Sequence, residues 1–166
     1  MKEKFKLAVN SGIICGIALV ILSFLYFTVS GLLRSGQTMN TQDAQAVTIF
    51  FTIVILALNV FTFFCAGVLL ARLATKHMIN FNDAVVLAAI TAGIGELINL
   101  PFTIVLAFVT EYIWPGLFQS TNTSPAVSAT ISAGGQLICC FPVLLVVGII
   151  VSILGAAVYT MLRSYM

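Results

Sequence analysis

Apolar residues occur along this chain in long runs that short polar segments separate. Each run exceeds the roughly 18 to 20 residues that a helix needs to cross a bilayer. The runs cover residues 7–33, 44–71, 84–110 and 112–162. Backbone N–H and C=O groups find no water in the hydrocarbon core, so such runs must pair their own backbone groups as α-helices. The pattern predicts transmembrane helices over residues 9–33, 44–74, 83–111 and 136–162.

The last apolar run is too long for one span. As a single helix, residues 126–162 would measure about 55 Å, nearly twice the hydrocarbon thickness. We expect Gly134 and Gly135 to interrupt it, so that the fourth span begins at residue 136. The predicted connections are outer loops at residues 34–43 and 112–135 and a cytoplasmic loop at residues 72–82.

Composition supports the same fold class. Hydrophobic residues make up 61% of the 166 residues and charged residues only 7%, against about 25% charged in soluble domains. The predicted fold is an all-α integral membrane protein, an antiparallel bundle of four transmembrane helices without a soluble domain. Because the connections are short, we expect consecutive helices to be neighbours.

The basic residues are sorted by helix end, which predicts the orientation. Those assigned to one side are Lys2, Lys4, Lys6, Arg72, Lys76 and Arg163, whereas Arg34 lies on the other. Cytoplasmic segments carry such an excess of Lys and Arg, so both termini are expected in the cytoplasm, with the protein in the cell membrane. The N-terminal run is too long for a signal-peptide core. The net charge of +2 follows from this orientation and implies no nucleic-acid partner.

Small and weakly polar residues mark the expected helix contacts, because they allow close approach within lipid. The predicted packing positions are Gly12, Gly16, Gly148 and Ser152. On the third helix we assign one apolar face to lipid, formed by Leu87, Ile90, Ile94, Ile98, Phe102, Val105 and Val109. The cysteines lie in apolar runs without C-x-x-C spacing, so we expect buried packing roles for Cys15, Cys65, Cys139 and Cys140.

One carboxyl group interrupts the apolar runs. Glu96 lies 13 residues after Asp83 and 15 before Glu111, which places it near the middle of the third span. An ionised acid at a helix centre costs about 3 kcal/mol, so we expect Glu96 to be protonated and hydrogen-bonded at neutral pH. The candidate partners are the side chains of Asn59, Asn99 and Gln136 and a backbone carbonyl freed by Pro101. Thr103, on the same polar seam of the third helix, is a further candidate for this site.

Two functions are compatible with this pattern, and the pattern favours the first, with the second as the alternative. An accessory or structural subunit of a larger membrane complex would use Glu96 and Asn59 as a polar clamp between helices. A small, oligomeric proton- or ion-coupled transporter or channel would use Glu96 to bind and release its ion. An enzyme is not expected, because His77 has no acidic or cysteine partner nearby in the sequence. The expected partners are the lipid bilayer and other membrane subunits or further copies of this chain.

Overall fold

The computed structural model describes residues 2–35, 41–74, 81–113 and 141–164, and within these residues it consists of four α-helices. They are α1 (Lys2–Ser35), α2 (Thr41–Ala74), α3 (Phe81–Ile113) and α4 (Phe141–Ser164). Each contains a stretch long and apolar enough to cross a membrane: Glu3–Leu32, Ile49–Ala74, Asn82–Val109 and Phe141–Arg163. The predicted all-helical class is confirmed for the described residues.

The helices are longer than their apolar cores. α1 begins at Lys2 rather than at residue 9, because Lys and Glu are good helix formers and Glu3 in the first turn complements the helix dipole. Its 34 residues give a length of about 51 Å, beyond the roughly 30 Å of a hydrocarbon core. Helices also include residues 34–35, 41–43 and 112–113 of the predicted loops. The predicted break at Gly134 and Gly135 lies outside the described residues.

Large apolar side chains cover the outside of these helices. Phe50 is 68% exposed, Leu97 65% and Met161 63%, and many other Ile, Leu, Val and Phe side chains are also exposed. Water-soluble monomers rarely present apolar surface on this scale. The surface is compatible with a membrane protein, in which lipid chains would surround these side chains.

The order of the helices along the chain does not by itself give the closest neighbours in the bundle. The largest contacts join α1 to α3 and α2 to α4. α1 and α2 run antiparallel, since the Ser11 hydroxyl donates to the Ala66 carbonyl (3.2 Å) near one end, and Tyr26 stacks on Phe51 nearer the other. The expectation that consecutive helices are neighbours holds for α1 with α2 and for α3 with α4, whereas α2 and α3 share much less contact. Close packing of small residues, rather than loop length, selects the neighbours.

α1 and α3 lie side by side in parallel. A Cβ atom added at Gly12 would lie 2.8 Å from Cβ of Ile94, and one added at Gly16 would lie 2.8 Å from Cβ of Ile98. The two glycines thus form a groove that receives branched side chains of α3. The predicted lipid face of α3 is therefore wrong in its first half, because Ile94 and Ile98 pack on α1 and Leu87 is buried. Its second half is exposed, at Phe102, Val105 and Val109.

α2 and α4 also run parallel and touch through their backbones. Gly148 faces the ring of Phe63, and Gly67 faces Ser152 further along both helices. A Cβ atom at Gly67 would collide with the backbone carbonyl of Ser152, and Gly155 stands in the same relation to the backbone carbonyl of Phe64. Residues without a side chain are therefore required where these helices cross.

The end of the bundle that carries the N-terminus of α1 is held by polar contacts as well. Lys4 of α1 forms a 2.8 Å salt bridge with Asp83 in the first turn of α3. Deeper in the bundle, the Thr91 hydroxyl donates to the Ala8 carbonyl (3.2 Å). Because α1 and α3 are parallel and α2 and α4 antiparallel to them, Lys4, Arg72 and Arg163 belong to the same end. We call it the basic end.

The cysteines do not share one environment. Cys15 is buried against α3, as expected, with its sulfur facing Gly95. Cys65 is exposed, which contradicts the expected burial, because it lines an open cavity between α1 and α2 instead of a close helix contact. Cys139 and Cys140 lie outside the described residues.

Candidate functional site

Glu96 projects into the interior of the bundle. Glu96 is 3% exposed, whereas the next residue, Leu97, is 65% exposed, so the interior of the bundle begins between these two adjacent positions of α3. One helical turn earlier, Ala92 is fully buried in a cluster with Cys15 and Phe63. Glu96 therefore stands where the close-packed part of the bundle ends.

Beyond Glu96, the helices enclose a cavity of about 300 Å³ that is partly open to the surroundings. All of the described helices contribute to its wall. Its polar lining residues are Ser23 and Tyr26 of α1, Thr52 and Asn59 of α2, and Glu96, Asn99 and Thr103 of α3. Its apolar lining residues are Phe27, Ile55, Leu56, Leu100, Phe141 and Leu144. Most of the wall surface is nevertheless apolar. A cavity with an apolar surface and a few convergent polar groups is the usual form of a small-molecule site.

Asn99 is the centre of the hydrogen-bond network in this cavity. Its Oδ1 accepts a bond from the Ser23 hydroxyl (3.0 Å), which links α3 to α1. The Thr103 hydroxyl is shared between the same Oδ1 (3.3 Å) and the Asn99 backbone carbonyl (3.0 Å). With its oxygen so occupied, Asn99 has only its side-chain N–H groups left to offer to the Glu96 carboxyl, which lies three residues earlier on the same helix. The network thus fixes the Asn99 amide beside Glu96, the one acidic group among the described residues of the lining.

Pro101 does not supply a partner for Glu96. A proline removes the backbone N–H that would bond the carbonyl four residues earlier, here that of Leu97. Both Leu97 and Pro101 lie on the exposed face of α3, away from the cavity.

The structure brings most of the predicted polar residues together. Glu96, Asn59, Asn99 and Thr103 all line the cavity, Asn59 from α2 and the other three from α3. Gln136 lies outside the described residues. The predicted packing residues Gly12, Gly16, Gly148 and Ser152 lie at helix contacts, away from the cavity wall.

Sequence reasoning missed Tyr26 and Phe141 as wall residues. Ser23 and Tyr26 are three residues apart in an apolar run, so both polar groups lie on one helix face. This spacing was the sequence signal for Tyr26 as a wall residue. Phe141 carries no such signal, because an aromatic residue in an apolar run is equally suited to lipid contact.

A second cavity, of about 600 Å³, lies between α1 and α2 on the basic-end side of the bundle. Its wall is mostly apolar and includes Cys15, Phe61, Phe64, Cys65 and Arg72. None of its described lining residues carries a carboxyl group. Proton or cation binding by an interior acid is therefore considered for the Glu96 cavity.

No protein-family profile, curated protein or solved structure matches this chain. The candidate function therefore rests on the geometry of the Glu96 cavity.

Proposed function

We propose that this chain is a multi-pass protein of the cell membrane that binds a small ligand or ion in the Glu96 cavity. It would act as a small proton- or ion-coupled transporter or channel. The observation that carries this proposal is that a carboxyl group, 3% exposed, lines a partly open cavity of about 300 Å³. Interior acids in membrane helices are expensive and mark ion and proton pathways. We propose no enzymatic reaction and no nucleic-acid partner.

The apolar exterior supports insertion in a bilayer, and the basic end supports the orientation. Lys4, Arg72 and Arg163 belong to that end of the bundle, which the excess of basic residues on cytoplasmic segments assigns to the cytoplasm. Both termini would then be cytoplasmic. The Glu96 cavity would extend from the middle of the membrane toward the outer side.

Proton coupling follows from the surroundings of Glu96. In an apolar interior the carboxyl is more stable protonated than ionised, unless a cation or water enters to compensate its charge. The cavity provides room for either. Binding of a cation and release of a proton would then be alternative states of one site.

Flux through reconstituted protein tests this proposal. Proteoliposomes with an internal pH dye are given a membrane potential, with Na⁺ or K⁺ outside and with or without an organic amine. We expect Glu96→Gln to lower the proton flux by about tenfold or more, since an amide cannot exchange a proton. The matched control is Leu97→Ala, at the next residue but on the exposed face, which should retain the flux. Equal flux in wild type and Glu96→Gln under every condition would contradict the proposal.

The second candidate is an accessory or structural subunit, either of a larger membrane complex or of a homo-oligomer. The observation that favours it is the Ser23–Asn99 hydrogen bond, which joins α1 to α3 and is what a polar clamp requires. In this case Glu96→Gln should lower thermal stability or the yield of a copurifying complex. It should change neither proton flux nor ligand binding. Purification in mild detergent, followed by identification of what copurifies, separates the two functions.

A further inference from the structure

We infer that the ligand of the Glu96 cavity is a small organic cation, with one protonated amine and an apolar, preferably aromatic, body. This inference rests on the proposed function and specifies the substrate class of the same site. The amine would form an ion pair with Glu96, and the body would fill the apolar part of the cavity. Charge, unused hydrogen-bond capacity and wall composition each point to this class.

Charge excludes anionic ligands. Among the described residues that line the cavity there is no Lys, Arg or His, and Glu96 is the one acid. A second negative charge in this apolar space would be repelled by an ionised Glu96 and would have no cation to compensate it. A cation is favoured instead, because its positive charge stabilises the ionised carboxylate of Glu96.

Hydrogen-bond capacity separates amines from sugars and other polyols. The hydroxyls of Ser23 and Thr103 already donate to Asn99, so they do not offer their protons to a ligand. Three other polar groups of the lining take part in none of these hydrogen bonds: the Glu96 carboxyl and the side chains of Asn59 and Tyr26. These suit one polar head group. A polyol would need partners for several hydroxyls, more than these three side chains supply.

The wall suits an apolar or aromatic body. Phe27 and Phe141 line the cavity from α1 and α4. The ring of Tyr26 is fixed edge-on to Phe27, with centroids 5.6 Å apart, and stacks on Phe51 at 6.4 Å. Aromatic rings also attract cations at their faces. A volume of about 300 Å³ holds a single-ring amine and greatly exceeds the space of a bare metal ion.

Binding would exchange one proton for one cation. The protonated carboxyl of Glu96 loses its O–H proton to water at the open side of the cavity, and the ammonium group of the ligand pairs with the resulting carboxylate. No covalent bond to the ligand forms or breaks, and the net charge of the site is unchanged. The other titratable groups facing Glu96 among the described residues are Cys15 and Tyr26, both on α1. α2 and α4 present Asn59, Ile55, Leu144 and Phe141 there, which do not titrate.

A matched series of probes tests the inference on the detergent-solubilised full chain. The probes are 2-phenylethylammonium, neutral 2-phenylethanol and anionic 3-phenylpropanoate, which share a ring and differ in charge. We expect the cation to bind about tenfold more tightly than the alcohol, because a charge-assisted bond to the carboxylate replaces a neutral one. The anion should not bind measurably. Calorimetry gives the affinity, and a pH indicator in weak buffer should record about one proton released per cation bound.

Two variants locate the effect in the cavity. Glu96→Gln should abolish proton release and remove the preference for the cation over the alcohol. Leu144→Trp fills the cavity from α4 and should weaken binding of cation and alcohol alike. Its control is Leu154→Trp, on the exposed face of the same helix, which should leave both unchanged. Thermal unfolding of each variant checks that it is folded.

Each remaining outcome has a definite meaning. If the alcohol binds as tightly as the cation, or the cation binds without proton release, the cation-exchange inference is wrong and the cavity is still a ligand site. If Na⁺ alone releases the proton and excludes the amine, the ligand is a metal cation and the inference is wrong. Amine binding together with no Glu96-dependent flux would uphold the ligand class and remove the transport function. If no probe binds although flux depends on Glu96, the inferred ligand class is wrong and the proposed transport function stands.

Discussion

Gly67 and Asn59 lie about two turns apart on α2, yet they face opposite kinds of interior. Gly67 touches a backbone carbonyl of α4, with no room for a Cβ atom, whereas Asn59 faces an open cavity of about 300 Å³. We call the part around Gly67 and Gly155 the glycine half and the part around Glu96 and Asn59 the cavity half. The glycine half sets the positions of the helices, and the cavity half uses them to hold polar groups around a space.

The comparison also shows how the halves satisfy polar groups. In the glycine half, hydroxyls such as that of Ser11 bond to a backbone carbonyl of a neighbouring helix. In the cavity half, Ser23 and Asn99 bond side chain to side chain. Backbone partners are fixed in place, but side-chain partners can reorient. The cavity half is therefore the part in which binding can change hydrogen bonds without moving helices.

The largest effect is expected at the tightest contact. Gly67→Ala would push a methyl group into the Ser152 carbonyl of α4, and overpacking of this kind costs about 3 kcal/mol. The matched control is Gly93→Ala, because nothing lies within 4 Å of a Cβ atom there. Alanine is the better helix former, so the control should be neutral or stabilising by up to about 1 kcal/mol. Unfolding midpoints in detergent measure both, and equal midpoints would remove the distinction between the halves.

A smaller effect is expected from the hydrogen-bond network. Asn99→Leu removes the acceptor of the Ser23 and Thr103 hydroxyls, so we expect a loss of about 1 to 2 kcal/mol in the free energy of unfolding. The control is Thr62→Val, whose hydroxyl bonds only within its own helix, to the Leu58 carbonyl (2.8 Å), among the described contacts. It should cost less than about 0.5 kcal/mol. A loss no larger for Asn99→Leu than for Thr62→Val would mean that the network does not hold α1 to α3.

The smallest effect is expected from filling the cavity. Leu144→Phe adds volume to the wall of an existing space, so the free energy of unfolding should change by less than about 1 kcal/mol, in contrast to the single methyl group at Gly67. The same unfolding measurement applies. A large destabilisation at Leu144 would show that the cavity half is as closely packed as the glycine half.

The sequence by itself determined that these segments are helices long and apolar enough to cross a membrane. Long apolar runs must satisfy their backbone groups internally, and this requirement does not depend on neighbours. It also singled out Glu96, because one acid in an apolar helix is visible in the sequence alone. The grouping of Asn59, Asn99 and Thr103 with it followed from depth and spacing.

Only the tertiary structure decided which helices are neighbours and which faces meet. Ile94 and Ile98 have the composition of a lipid-facing surface, and no property of α3 shows that Gly12 and Gly16 of α1 provide a groove for them. The packing of the helices likewise places Tyr26 and Phe141 in the cavity wall. In an apolar environment, hydrophobicity does not distinguish the inside of a bundle from its outside, so shape complementarity between helices makes the choice.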